Sequence, residues 1–259
     1  MNKHYKKLLL LILNLDNCLQ IFFSGKYIVN MANNLICAES KKSRPFTVIV
    51  EGNIGCGKTT FLNYFKKHKN ICVLSEPIDL WRDCKGHNLL GHMYSDPKKW
   101  SFTFQSYVQL TMLNHHVLPT PCPVKLMERS IYSARYCFVE KMKRDELLSK
   151  PSAAVIDEWF QWLTKNTPIN VDLIVYLRSS PEVVYRRMME RNRSEEKSVP
   201  FEYLESLHQL HEEWLYYKTL HHCPARVLTL DANLDLESIE EEYGKFEPHI
   251  WNLGILNSN

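Results

Sequence analysis

Among the eight cysteines of this 259-residue chain (Cys18, Cys37, Cys56, Cys72, Cys84, Cys122, Cys137 and Cys223), no pair has the CxxC spacing of a metal knuckle. That absence argues against a thiolate zinc site and against a disulfide framework. An excess of one charge is also missing. The formal net charge is only +3 and basic residues are interleaved with acidic ones, so nothing demands a nucleic-acid partner. A long apolar run is lacking too. Leu8-Leu9-Leu10-Leu11-Ile12-Leu13 is cut off by Asn14 and Asp16, too short to span a bilayer, and no membrane partner is expected. No arginine precedes Arg44, which counts against a mitochondrial presequence, and no clean small-residue cleavage site marks a signal peptide. The compartment stays open between cytoplasm and mitochondrion, and Met31 is a second candidate start. No internal repeat or low-complexity tract is visible.

What is present begins at Pro45. Residues 1–44 read as an N-terminal extension, targeting or disordered, 45–251 as one domain and 252–259 as a short tail. With 45% hydrophobic and 24% charged residues, the chain is an ordinary globular protein. Short β-rich runs alternate with helical periods, which predicts strands over 46–51, 71–75, 124–128, 172–178 and 226–230. Helices are predicted over 58–67, 97–118, 132–147, 152–165, 181–191, 200–221 and 235–250. This is the pattern of an α/β fold with a five-stranded parallel sheet flanked by helices. In such sheets ligands bind beyond the carboxyl ends of the strands.

The run Gly52-Asn53-Ile54-Gly55-Cys56-Gly57-Lys58-Thr59-Thr60 follows the strand-like Phe46-Thr47-Val48-Ile49-Val50 and opens a helix. Strand before and helix after turn a glycine-rich pattern into a P-loop. Its backbone N–H groups cradle phosphate, Lys58 reaches the outer phosphates, and the Thr59 hydroxyl can ligate magnesium. Cys56 reads as a small residue of the loop. A nucleoside triphosphate is the expected ligand.

Further candidates stand after the strands. Glu76, in Glu76-Pro77-Ile78-Asp79-Leu80-Trp81, can take the proton of an attacking hydroxyl, although a bare Glu-Pro is more often a plain turn. Glu128 and Arg129 end the third strand. They can hold magnesium and neutralise charge on a transferring phosphoryl group, or form a surface ion pair. Arg187, Arg191 and Arg193, followed by Glu195 and Glu196, form a candidate lid whose guanidinium groups close over phosphate. Tyr94, Trp100, Phe102, Phe104, Gln105, Tyr107 and Met112, with Trp81 and Phe138, could line a slot for a planar base. Aromatics at helical spacing are usually core, but Gln105 is not explained by core packing.

With GNIGCGKTT (52–60), EPIDLW (76–81), NLLGHMYSDPKKWSFTFQSYVQLTML (88–113), MERSIYSARYCFVE (127–140), RNRSEE (191–196) and PFEYLESLHQLHEEWL (200–215), the chain resembles the deoxynucleoside kinase family. The resemblance is closest to its insect multisubstrate and mitochondrial thymidine kinase branch and runs from Phe46 to Trp251. It implies a P-loop NTPase fold with a short lid, ATP as phosphate donor and Mg2+. It also implies Glu76 as the base that activates a nucleoside 5′-hydroxyl, with Arg129 beside it. Lys58, Arg191 and Arg193 are implied on the ATP phosphates, Thr59 and Glu128 on magnesium, and Tyr94 and Glu196 on the sugar 3′-hydroxyl. Gln105 is implied on the base edge, with Phe138 stacking on one side and Trp81 and Phe104 framing the other. Met112 and Ala134 stand where purine- or deoxycytidine-specialised members carry a charged arginine and aspartate, and with Val108 they make the pocket apolar. Their apolar character predicts a preference for thymidine and deoxycytidine, with purine deoxynucleosides weaker. A homodimer and feedback inhibition by a deoxynucleoside triphosphate such as dTTP are also implied. Two departures are His92, where an acid is expected, and the lack of a basic tail after Trp251, so a nuclear address is not expected. The rival readings are a nucleoside monophosphate kinase and a non-catalytic scaffold of the same fold.

Overall fold

The computed structural model describes residues 44–196 and 199–256. The expected N-terminal extension lies outside the described residues. Five strands, β1 (Phe46–Glu51), β2 (Ile71–Leu74), β3 (Val124–Glu128), β4 (Leu173–Arg178) and β5 (Arg226–Asp231), form one sheet in the order β2-β3-β1-β4-β5, with every pairing parallel. All of β1 and β3 is buried, the near-continuous burial that a sheet covered by helices requires. The chain leaves central β1 and returns to either side of it, so the crevice opens above β1. Register fixes what meets there: Val50 pairs with Glu128, and Glu51 with Tyr176.

The helices are α1 (Lys58–Phe65), α2 (Ile78–Arg82), α3 (Leu89–Ser95), α4 (Pro97–Val117), α5 (residues 131–144), α6 (Lys150–Asn166), α7 (Pro181–Arg191), α8 (residues 201–216) and α9 (Leu236–Leu256). Local sequence starts and stops them. Asp96 accepts from the Lys99 N–H with Pro97 next in line, and Ser180 caps α7 in the same way before Pro181. At the other end of α7, Asn192 adopts the left-handed conformation (φ 53°) and turns the chain into the lid residues Ser194–Glu196.

On α4 the buried positions Ser101, Phe104, Gln105, Val108, Thr111 and Met112 follow helical spacing and form one inner face. The end of α4 is tied down by buried Lys125 of β3. Its ammonium donates to the carbonyls of His116 (2.9 Å), Leu118 (2.6 Å) and His115 (3.3 Å).

Three features differ from the sequence reading. Helices α2 and α3 occupy a stretch where none was placed. The helix expected over 200–221 ends at Tyr216, its last turn being a π turn over Glu212–Tyr216. A second π turn, Ala134–Val139, lies within α5.

Candidate active site

The P-loop needs its glycines. Gly52, Gly55 and Gly57 have φ of 142°, 80° and 99°, and a Cβ on Gly52 or Gly55 would stand 2.6 Å from the carbonyl oxygen of Leu177 or Val184. Asn53 is a support: its amide donates to the Leu204 carbonyl (2.8 Å) and its Oδ1 accepts from the Ile54 N–H (2.8 Å). Lys58 is buried and its ammonium donates to the Asn53 carbonyl at 2.7 Å. Burial, with the Arg129 charge nearby, holds its pKa below the usual lysine value.

From the end of β3, Glu128 accepts from the Thr59 hydroxyl at 3.1 Å, while its other oxygen lies 3.4 Å from the Glu76 N–H. Arg129 takes a left-handed backbone (φ 62°), uncommon for a non-glycine and held here by its N–H donating to the Val50 carbonyl at 2.9 Å. Its guanidinium donates to the Gly52 carbonyl (3.0 Å), forms an ion pair with Glu76 (3.0 Å) and lies over the Phe138 ring (4.7 Å from its centre). Burial raises the Glu76 pKa above the ordinary carboxylate value and Glu128 adds to the effect, while Arg129 opposes it. Such a carboxylate is a better proton acceptor than a solvated one.

Two clefts overlap along Glu76, Trp81, Phe104, Gln105, Arg129 and Phe138. The first is an apolar slot walled by Trp81, Phe104, Val108, Met112, Ala134 and Phe138. Gln105 projects into it, and its buried Oε1 has no hydrogen-bond partner among the described residues. An unpaired buried amide oxygen costs free energy, which a ligand donor would recover. Trp81 is fixed by its indole N–H on the Thr111 hydroxyl (2.9 Å) and packs edge-on against Phe104, with ring centres 5.6 Å apart. The second cleft contains Ile54, Gly55, Lys58, Thr59, Glu128, Tyr94, Arg191, Arg193, Glu195 and Glu196, and it continues outward past Cys56, Gly57 and Thr60.

In the lid, Glu196 accepts from Arg191 (2.7 and 2.8 Å) and from Arg193 (3.4 Å). Burial, together with Tyr203, Glu196 and Glu76, raises the Tyr94 pKa, so its phenol remains a hydrogen-bond donor.

Not every sequence candidate belongs to the site. Arg187, grouped with the lid, lines the outer cleft, but its guanidinium donates to the carbonyls of Ala232 (2.7 Å) and Leu234 (2.6 Å) and ties the β5–α9 connection. Trp100 stacks on His92 (ring centres 4.7 Å apart), Phe102 is exposed and Tyr107 stays out of the slot. His92 thus has a packing role. Gly52 and Asn53 shape the loop without lining either cleft. Tyr94 lines the second cleft, not the base slot.

Sequence reasoning missed Glu51, Arg82, Ser130 and Tyr203. Glu51 is wholly buried beneath the P-loop and accepts from the Ser130 hydroxyl at 2.5 Å, while Ser130 Oγ caps α5 by accepting from the Tyr132 and Ser133 N–H groups. Ser130 stood next to Arg129 in the sequence, and its capping position before Ile131 was the available signal.

For magnesium, the donors are one carboxylate, Glu128, and one hydroxyl, Thr59, both hard oxygens beside the P-loop. No cluster of three or more His, Cys, Asp or Glu that could hold a metal occurs among the described residues. The pair fits an ion carried largely by substrate phosphates and water, as magnesium is.

A model described as deoxynucleoside kinase matches residues 48–253. Human mitochondrial thymidine kinase 2 is 47% identical over 203 residues, covering 78% of this chain and 77% of that protein. Deoxycytidine kinase 1 of Xenopus laevis is 36% identical over 225 residues (75% and 85%), and human deoxycytidine kinase 33% over 246 residues (81% and 94%).

Proposed function

Since the chain belongs to the deoxynucleoside kinase family, we propose that it transfers the γ-phosphoryl group of ATP to the 5′-hydroxyl of thymidine and deoxycytidine, and more weakly to purine deoxynucleosides. The observation that carries this reading is the position of Glu76. It borders both the apolar slot and the P-loop cleft and forms an ion pair with Arg129.

The base lies in the slot between Phe138 and the Trp81–Phe104 wall, its edge paired with Gln105. Apolar Val108, Met112 and Ala134 leave room for the thymine methyl group and offer no charge to a purine. Tyr94 and Glu196 hold the 3′-hydroxyl. Glu76 accepts the proton as the 5′-oxygen attacks the γ-phosphorus, and the bond to the ADP oxygen breaks in line with it. Lys58, Arg191 and Arg193 hold the donor's phosphate oxygens, the two lid arginines exchanging Glu196 for phosphate as ATP enters. Thr59 and Glu128 hold magnesium, which when bound neutralises phosphate charge.

A nucleoside monophosphate kinase is less well supported. Its acceptor phosphate would meet the Glu76 carboxylate, and the nearest cation, Arg129, is already paired.

Replacing Glu76 by Gln tests the assignment. We expect kcat for thymidine to fall by about 10^2–10^4-fold with KM little changed, and a kcat within about twofold of wild type would refute it.

A homodimer through exposed apolar helix faces belongs to the same proposal. So does inhibition by dTTP, whose base would fill the slot while its phosphates reach the P-loop; inhibition competitive with both substrates is the expected signature. The named compartment of the human relative supports a mitochondrial location over a cytoplasmic one. Fluorescent fusions beginning at Met1 and at Met31 distinguish the two.

A further inference from the structure

The lid carries two adjacent carboxylates, and they turn in opposite directions. Glu196 accepts from Arg191 and Arg193 on the donor side. Glu195 instead receives a two-pronged guanidinium contact from Arg82: Nε donates to Oε1 at 2.7 Å and Nη2 to Oε2 at 3.1 Å. The Ser194 hydroxyl also donates to Glu195 Oε2 at 3.1 Å. The Glu195 side chain is only 11% exposed, and its hydrogen bond to Arg82 pulls its pKa down to about 2. Most exposed ion pairs contribute little, but a bidentate one whose carboxylate is covered, even with Arg82 39% exposed, has the geometry that fixes two elements in register.

What makes the contact informative is where Arg82 comes from. It is the last residue of α2, directly after Trp81, which forms a wall of the base slot and is itself pinned to Thr111 of α4. The same short helix follows Glu76 by one residue. A ligand that seats against Trp81 therefore acts on the element that holds Glu195, one residue from the carboxylate that pairs with the phosphate-binding arginines. Asp79 is a poor competitor for Arg82, at 3.9 Å and fully exposed.

We propose that Arg82 and Glu195 are positioning residues that couple the two substrates: nucleoside in the slot sets α2, and the Arg82–Glu195 contact carries that state to the lid, tightening ATP binding. Both side chains border the second cleft, and the proposal gives neither a contact with the 5′-hydroxyl or the γ-phosphoryl group. The inference rests on the nucleoside-and-ATP reading of the two clefts. Its consequence is that closure over the donor is favoured when an acceptor hydroxyl is present, which limits transfer to water.

The test is a binding cycle on the full chain. Affinity for a non-hydrolysable ATP analogue with magnesium is measured with and without thymidine. In the wild-type protein thymidine is expected to tighten analogue binding about tenfold. In Arg82→Met and in Glu195→Gln that factor should fall to about twofold or less, while thymidine affinity without donor stays within about threefold of wild type. Exchanging the charges, Arg82→Glu with Glu195→Arg, should restore part of the coupling that Arg82→Glu alone abolishes. Coupling that is absent in the wild type, or undiminished in either single variant, overturns the proposal. So does a loss of thymidine binding itself in Arg82→Met, which would make Arg82 a support of the slot only. If the wild-type protein bound no thymidine, both this proposal and the assignment of the slot would fall. Intact thymidine binding with unchanged coupling removes only this one.

Discussion

Glu51 makes a strong demand on the protein's pH dependence. Burial pushes its pKa up to about 7, against the stabilising hydrogen bond from Ser130 and the charge of Arg129. For an acid whose folded pKa lies above its unfolded value, the native state holds more protons between the two. The group's contribution is then fully present below the unfolded value near 4.5 and is lost as pH rises through about 7. The size of that loss is about 3 kcal/mol. Glu51→Gln keeps the shape and removes the titration, so its melting temperature should rise relative to wild type between pH 5 and pH 8. A difference that stays constant across that range would contradict the assignment. This residue also marks the limit of sequence reading. Lys58, Thr59 and Glu76 were legible because motif spacing and strand-end position declare them, and Gln105 because an amide on an apolar face has no packing reason. Glu51 was read as the end of a strand, since its partner Ser130 lies 79 positions away. The Arg82–Glu195 contact spans 113 positions, and nothing local to either residue announces it.

At the scale of elements, the strands were legible because a covered parallel sheet needs unbroken apolar runs, and the long helices because their buried faces repeat. Helices α2 and α3 were not, being five and seven residues long and crowded with site residues. The π turn of α5 left no trace in composition, although it holds both Ala134 and Phe138. Helix α6 has a second face that packing within one chain does not explain. Val155, Trp159 and Trp162, at helical spacing, are 44%, 58% and 56% exposed, and Leu110 on neighbouring α4 is 52% exposed. Two exposed tryptophans on one helix form an apolar patch of the kind that a second copy covers. If the homodimer forms there, Trp159→Glu combined with Trp162→Glu should give the mass of one chain by light scattering and leave the far-ultraviolet circular dichroism unchanged. A variant that remains dimeric would place the interface elsewhere.

At the scale of the whole molecule, the sheet order places β1 between β3 and β4, and the connections after β1, β2 and β3 deliver the P-loop, Glu76, and Glu128 with Arg129 to one crevice. Helices α4 and α5 close one side of that crevice as an apolar slot, and the connection after α7 supplies the lid. The proposed reading seats a triphosphate in one cleft and a planar base in the other, with the Glu76 carboxylate lining both. The most direct test is the initial rate of the wild-type protein with ATP and magnesium on five acceptors: thymidine, deoxycytidine, deoxyadenosine, deoxyguanosine and thymidine monophosphate. The account predicts that thymidine and deoxycytidine are phosphorylated fastest, the purine deoxynucleosides more slowly, and the monophosphate not at all. Phosphorylation of thymidine monophosphate alone would contradict it.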